Sequence, residues 1–432
     1  MSSALIPGGF ALFRRRAFSF YLGARLFSAL AAQMIIIAVG WQVYHLTGRV
    51  LDLGFVGLSQ FLPFLCLSLF AGHAADRYDR RRIILCCLTV FLICALLLLN
   101  FARRGSGSVL PIFAVLALLG IARAFMMPAS QSFLPNIVPL AVLGDAVAIN
   151  SSAFQLANIV GPSLGGLVYA YGESSRSAPG GAQWVYGGAA GLLAGAVLML
   201  LLVNSPRGAA GGRVRFSWGH LLEGLRFTWH RKTVLGAISL DLFAVLFGGA
   251  SALLPAFTRD VLHAGPDVFG YLRAAPGVGA VAMAILLALQ PITRRVGVYM
   301  FGGVAIFGVA TMVFGLTQHV WIALTALSLM GAGDMVSVYV RGLLVQLETP
   351  DAIRGRVSAV SSIAIGASNE LGEFESGTTA ALFGLVPAIV LGGVVTLTVA
   401  VLWAKVFFPM LWRLQTFQQL KDHETNGTAR TS

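Results

Sequence analysis

Residues 83–100 read IILCCLTVFLICALLLLN, a run with no charged side chain. A run of 18 or so apolar residues is long enough to cross the ~30 Å hydrocarbon core of a bilayer as a helix. Comparable runs recur along the whole chain, so a water-soluble fold has nowhere to put them. A membrane β-barrel would show short segments of alternating polarity, and these runs do not alternate. The 432 residues are 57% hydrophobic and 11% charged, against roughly 45–50% and roughly 25% in a soluble chain. A soluble enzyme is thereby excluded, and a polytopic all-α membrane protein is expected.

Apolar runs bounded by charge, Gly and Pro place twelve spans. Six lie near 18–44, 52–73, 82–102, 109–133, 145–171 and 184–204. Six more lie near 234–257, 267–290, 297–317, 320–345, 356–383 and 387–408. The expected organisation is an N-terminal segment 1–17, a six-helix half 18–204, a linker 205–233, a second half 234–408 and a tail 409–432. In the linker, Trp218, Leu221, Leu222, Leu225 and Trp229 fall on one helical face, as in a helix lying in the headgroup layer.

The net charge is +13, carried by 27 Arg and 3 Lys. Nucleic-acid binding is not the reading, because the cations sit between apolar runs. Twenty lie on the side that holds both termini and five on the other, with five more inside spans. Cationic loops stay in the cytoplasm, so both termini are expected there. Arg14, Arg15 and Arg16 hold the first span's near end inside, and a cleaved twin-arginine leader is not expected. Cys66, Cys86, Cys87 and Cys94 all lie in apolar runs with no CxxC pair, which suggests small buried hydrophobes. The seven His residues form no helical pair, so neither zinc nor haem is expected. No phosphate-cradling GxxxxGK[ST] loop occurs.

The halves repeat each other at an offset of 210–214 residues. FVGLSQFLP (55–63) matches FGYLRAAP (269–276), and Arg80-Arg81 matches Arg294-Arg295. GIAR (120–123) matches GAGD (331–334), and NSSAFQLANIVG (150–161) matches VSSIAIGASNELG (360–372). A duplicated six-helix half with a site at the membrane midplane is transporter architecture.

Between the second and third spans stands GHAADRYDRRR (72–82). Asp76 at a helix end, with Arg77, Arg80 and Arg81 beyond it, suits either a cytoplasmic hinge or plain positive-inside charge, and Gly72 suits close helix approach. The stretch resembles the signature loop G-x-L-A-D-R-x-G-R-K of the major facilitator superfamily. It differs at Ala74, and at Asp79, which adds a charge to the hinge. The fifth span carries ANIVGPSLGG (157–166), similar to the antiporter motif G-x-x-x-G-P-x-x-G-G of that superfamily. Gly161, Gly165 and Gly166 permit tight packing, and Pro162 frees a backbone carbonyl. Arg123 falls where the superfamily's fourth-span motif places an embedded Arg. Residues 15–410 as a whole resemble the superfamily's enterobactin exporter-like branch. That resemblance implies a secondary transporter that exports, lacks a cofactor, and acts as a monomer in a bacterial inner membrane.

Charges inside spans are functional candidates, because burying them is costly. Asp334 sits mid-span at the repeat position of Arg123, as a proton-coupling residue or as half of a salt bridge. Asn369, Glu370 and Glu373 share a face with Gly366 and Gly377. That face either lines a cavity or holds structural ion pairs. Arg25 and Asp241 occupy equivalent levels of the two halves and suggest a charge-paired gate, unless Arg25 snorkels to the headgroups. Asn150, Asn158 and Gln33, with Gln155, are suited either to a polar substrate or to inter-helix hydrogen bonds.

The expectation is therefore a proton-driven exporter of a small amphipathic molecule, such as a siderophore, drug or secreted metabolite, working by alternating access. Uptake of a metabolite or lysolipid by the same fold is the first alternative. A non-transporting membrane sensor or assembly factor is the second.

Overall fold

The computed structural model describes residues 12–105, 107–174, 180–203, 218–350 and 353–417. Residues 1–11, the linker residues 204–217 and the tail from 418 lie outside the described residues, with whatever the sequence led us to expect of them.

Twelve long helices succeed one another among the described residues. The first six are α1 (Arg16–Thr47), α2 (Val50–Arg77), α3 (Arg80–Arg104), α4 (Leu110–Ile137), α5 (Leu143–Ser174) and α6 (Gly181–Leu201). The second six are α7 (Lys232–Gly248), α8 (Pro266–Leu289), α9 (Val296–Leu316), α10 (Val320–Glu348), α11 (Arg354–Phe383) and α12 (Leu385–Leu402). Gly48 ends α1 and Gly105 ends α3 at φ 61° and 63°, a left-handed backbone that suits glycine. Asp79 caps α3 by accepting from the Arg81 backbone N–H at 2.9 Å, so the acid that departs from the hinge pattern starts a helix.

Ten of the helices are long and apolar enough to cross a membrane. The other two are α5 and α11, which the internal repeat pairs. Both have the length, with 32 and 30 residues, but Ser, Asn and Gly in one and Ser, Glu and Gly in the other lower their hydropathy. Leu110, Leu289, Trp321 and Leu382 are between 73% and 80% exposed. An apolar surface of that kind is matched by lipid rather than water.

The helices divide into two compact units. The first holds Met1–Gly48, Phe55–Phe216 and Ala264–Ala274, and the second Arg49–Gly54, Ser217–His263 and Ala275–Ser432. The sequence division at 205–233 is thus crossed by two short segments, at the starts of α2 and α8. Each unit has its own apolar core, around Phe18, Tyr21, Leu88 and Phe133 in the first and Leu240, Val296, Val340 and Leu344 in the second.

The repeat is visible in how glycines set the helix crossings. A Cβ on Gly120 of α4 would meet Gln60 Cα of α2 at 3.1 Å. A Cβ on Gly331 of α10 would meet Pro276 Cα of α8 at 2.7 Å. Within the first unit, Gly166 lies against Gly270, where a Cβ would come within 3.0 Å of its Cα. Within the second, Gly377 lies against Gly54, with the corresponding approach at 2.9 Å. Small residues let backbones approach where no hydrophobic drive exists between helices.

The linker helix Trp218–His230 belongs to the second unit. Gly224 and Thr228 are buried, and Glu223 pairs with Arg356 Nη1 at 2.5 Å at the start of α11. Leu222, Leu225 and Trp229 of the expected apolar face are exposed, while the side chains of Trp218 and Leu221 lie outside the described residues. The segment from 409 does not begin as a free tail. Pro409–Trp412 is a short helix with Leu411 buried, and the carbonyls of Leu414 and Gln415 accept from Gly297 and Val296 N–H at 3.0 and 3.4 Å. These close the otherwise open first turn of α9.

Candidate functional site

The first unit contains a cavity of ≈ 170 Å³ among α1 to α6. Gln33 of α1, Gln60 of α2, Phe91 of α3, Arg123 of α4 and Phe154 of α5 are among its lining residues. Two of the sequence candidates, Gln33 and Arg123, therefore meet at one hollow. Arg123 lies over the Phe64 ring, with Cζ 5.8 Å from the centroid, an arrangement that stabilises the guanidinium.

The antiporter-like motif builds this wall. A Cβ at Gly161 would meet Gln33 Cβ at 2.6 Å, and one at Gly165 would meet Met34 Cα at 3.1 Å. Their absence lets α5 close on α1, and Gln33 Nε2 then donates to Asn158 Oδ1 at 2.6 Å. Pro162 sits inside α5 without interrupting it. Having no N–H, it leaves the Asn158 carbonyl without its usual helical donor. Asn150 lies on the same helix, and its Oδ1 is buried without a hydrogen-bond partner.

At the hinge, Arg80 Nη1 donates to Ser132 O and Asn136 Oδ1, both at 3.2 Å. Arg81 Nε and Nη2 donate to the carbonyls of Leu200 and Leu201 at 3.3 and 2.8 Å. The pair therefore ties the start of α3 to the ends of α4 and α6, and a cation on the last carbonyls of α6 also meets that helix's negative end. Arg77 is exposed, and the side chain of Asp76 lies outside the described residues. The close approach expected at Gly72 is corrected: a Cβ there would meet nothing within 4 Å among the described residues.

In the second unit Asp241 of α7 forms a buried ion pair with Arg341 of α10. Asp241 and Arg341 are 4% and 5% exposed. Asp241, Asp334 and Ser337 line a hollow of ≈ 10 Å³, about the room that one water needs. Asp334, Ser337 and Arg341 fall at i, i+3 and i+7, on one face of α10. Two carboxylates and one guanidinium are thus gathered by two helices. The expected pairing of Asp241 with Arg25 is corrected here, because Asp241 is engaged by Arg341 from within its own unit. Two turns of helix separate Arg341 from Asp334, and that spacing was the signal in the sequence that could have found it.

The α11 face is only partly as expected. Gly366 has open space where a Cβ would stand and Asn369 is exposed. Glu370 and Glu373 are partly buried. Gly377 is corrected from cavity lining to helix contact, since it is pressed against Gly54. Glu375 accepts from Thr379 Oγ1 at 2.7 Å on its own helix. No group of three or more His, Cys, Asp or Glu with metal-holding geometry occurs among the described residues.

A family model described as transmembrane secretion effector matches residues 7–425. The chain is 28% identical over 381 residues to the multidrug efflux pump Tap of Mycolicibacterium fortuitum, covering 83% of this chain and 89% of that protein. It is 27% identical over 360 residues to the enterobactin exporter EntS of Escherichia coli O1:K1 / APEC, covering 80% and 82%. Among solved structures, a bacterial homologue of the human lysosomal transporter Spinster, inward-facing and occupied, superposes with a TM-score of 0.73 at 15% identity. That match covers 92% of this chain and 98% of the other and concerns the fold.

Proposed function

The chain belongs to the transmembrane secretion effector family of the major facilitator superfamily, and from that premise we propose that it is a proton-driven exporter of a small amphipathic molecule. It works by alternating access in a bacterial inner membrane, as a monomer with both termini in the cytoplasm and the proton gradient as its driving force. The chain is a multi-pass membrane transporter and not an enzyme. Outward direction is supported by the printed functions of both relatives, an efflux pump and an exporter. The orientation is supported by the 20 cations on the side of the termini against five on the other.

The observation that carries the coupling reading is the Asp241, Asp334 and Arg341 cluster. Arg341 balances one carboxylate, and the cluster then holds one more carboxylate than the guanidinium neutralises. A single proton removes that excess. Loading and unloading that proton changes the charge of a buried site by one unit, and a change of that kind biases a conformational equilibrium. The hollow beside the two acids has room for a water through which the proton arrives.

The test compares cells and medium by untargeted mass spectrometry under iron starvation, since a siderophore is among the cargoes considered. Strains are a deletion mutant, its complemented form and one complemented with Asp334→Asn. A compound retained in mutant cells and restored to the medium only by the native gene is the expected result. A compound left unused in the medium would replace export with uptake. No difference between strains would move the reading to efflux that other pumps duplicate, or to a sensor or assembly role.

A further inference from the structure

We infer that the linker helix Trp218–His230 is a docking surface for anionic phospholipid, with its exposed apolar face in the headgroup layer and Arg226 and Lys232 on the lipid phosphates. The inference goes beyond the transport reading and holds whichever way the cargo moves. Position comes first. The linker helix ends at His230 and α7 begins at Lys232, with Arg231 alone between them. The helical stretch that starts at Lys232 is long and apolar enough to cross a membrane. Trp229 therefore stands three residues from the point where a span enters the bilayer, which sets the helix at headgroup level.

The two faces of the helix then differ. Gly224 and Thr228 are buried. A Cβ on Gly224 would meet the Arg356 carbonyl oxygen at 2.8 Å, so backbone lies on backbone at the start of α11. Phe227 packs on Val234, Ile238, Val345 and Val357. Away from that contact, Leu222, Leu225 and Trp229 follow one another at i, i+3 and i+7. They are 58%, 48% and 69% exposed. One face is thus already packed on protein, and the other offers large apolar side chains that include a Trp. Such a face beside a span suits the boundary between headgroups and acyl chains.

Charge selects the lipid. From 205 to 232 the chain has six Arg or Lys and one acid, Glu223. That acid is held by Arg356 Nη1 at 2.5 Å, and Arg231 Nε lies 3.7 Å from Glu348 at the end of α10. Arg226 and Lys232 are exposed. Arg226 comes four residues after Leu222 and three before Trp229, so it borders the apolar face. Lys232 stands where the span begins. A cationic border on an amphipathic helix beside a span draws anionic headgroups in preference to zwitterionic ones. The two ion pairs tie the lipid contact to the ends of α10 and α11.

The experiment uses the full chain in phosphatidylcholine vesicles, with Cys66, Cys86, Cys87 and Cys94 replaced by Ala and a bimane label on Leu225→Cys. The quenchers are 5-doxyl phosphatidylglycerol and, at the same mole fraction, 5-doxyl phosphatidylcholine. The anionic lipid is expected to quench at least threefold more strongly. Arg226→Gln combined with Lys232→Gln should bring the two lipids level, and molar salt should do the same by screening. A second measurement keeps the cysteines: the part of the intrinsic fluorescence quenching that disappears in Trp229→Phe should show the same preference. Equal quenching by both lipids would reduce the face to an unselective membrane contact and overturn the inference. A preference unchanged in the double variant would overturn the assignment of Arg226 and Lys232. Quenching by neither lipid would mean that protein covers the face, whether a second copy or another partner, and would overturn the inference altogether.

Discussion

The same helix crossing occurs once in each unit and carries opposite charges. In the first, Gly120 seats α4 on α2, and Arg123 follows three residues later beside a cavity of ≈ 170 Å³. In the second, Gly331 seats α10 on α8, and Asp334 follows three residues later beside a hollow fit for one water. A shared backbone thus presents one charged residue at the same depth in both. Its surroundings decide what the charge does. Arg123 stands among aromatic and amide side chains, and Asp334 stands beside the buried Asp241–Arg341 ion pair.

The largest effect that tests this contrast is expected at Arg341. Arg341→Gln leaves Asp241 buried without its cation, a loss of about 3–5 kcal/mol. It should appear as a sharp fall in the temperature at which detergent-purified protein aggregates. Asp241→Asn combined with Arg341→Gln should recover much of that loss; equal destabilisation in the double variant would mean that the pair is not what holds α7 to α10.

Next in size are the crossings. Gly331→Ala and Gly120→Ala each force a Cβ into backbone and should cost about 1–3 kcal/mol. If only one of them destabilises, the two units do not share the packing described.

Asp334→Asn should leave folding intact while cutting proton-driven export about tenfold and flattening its pH profile. A variant that loses thermal stability instead would make Asp334 part of the packing of α10 and not a proton carrier. The smallest effect is at the cavity wall. A double-mutant cycle of Gln33→Ala with Asn158→Ala should give a coupling near 0.6 kcal/mol, typical of inter-helix hydrogen bonds in membranes.

The number of long helices and the internal repeat were legible in the sequence, because hydropathy and a 210–214-residue offset are local or periodic signals. Gln33 and Asn158 could be named as polar candidates, but their meeting could not. It depends on Gly161 bringing together two helices 125 residues apart. Partners were the least legible part. Arg341 registered only as one of five cations inside spans, and Asp241 was matched to Arg25 on depth alone. Depth along a helix can be read from sequence, whereas the direction a side chain faces across a bundle depends on the crossing angles. Gly72 and Gly377 show the same limit from the other side. A glycine's pattern says that a Cβ is dispensable, and only packing says whether a neighbour fills the space.

The glycine crossings bear on how such a chain diverges after its ancestral half is duplicated. Gly120 and Gly331 are both pinned by an adjacent backbone, so a larger side chain at either one weakens the crossing. Positions 123 and 334, one turn further on, stand beside side chains instead, Phe64 in one copy and Asp241 in the other. Two copies of one scaffold can therefore part company at a single position, one carrying a base and the other an acid. Specialisation of the halves then requires no new fold, only an inherited crossing and one exchanged charge.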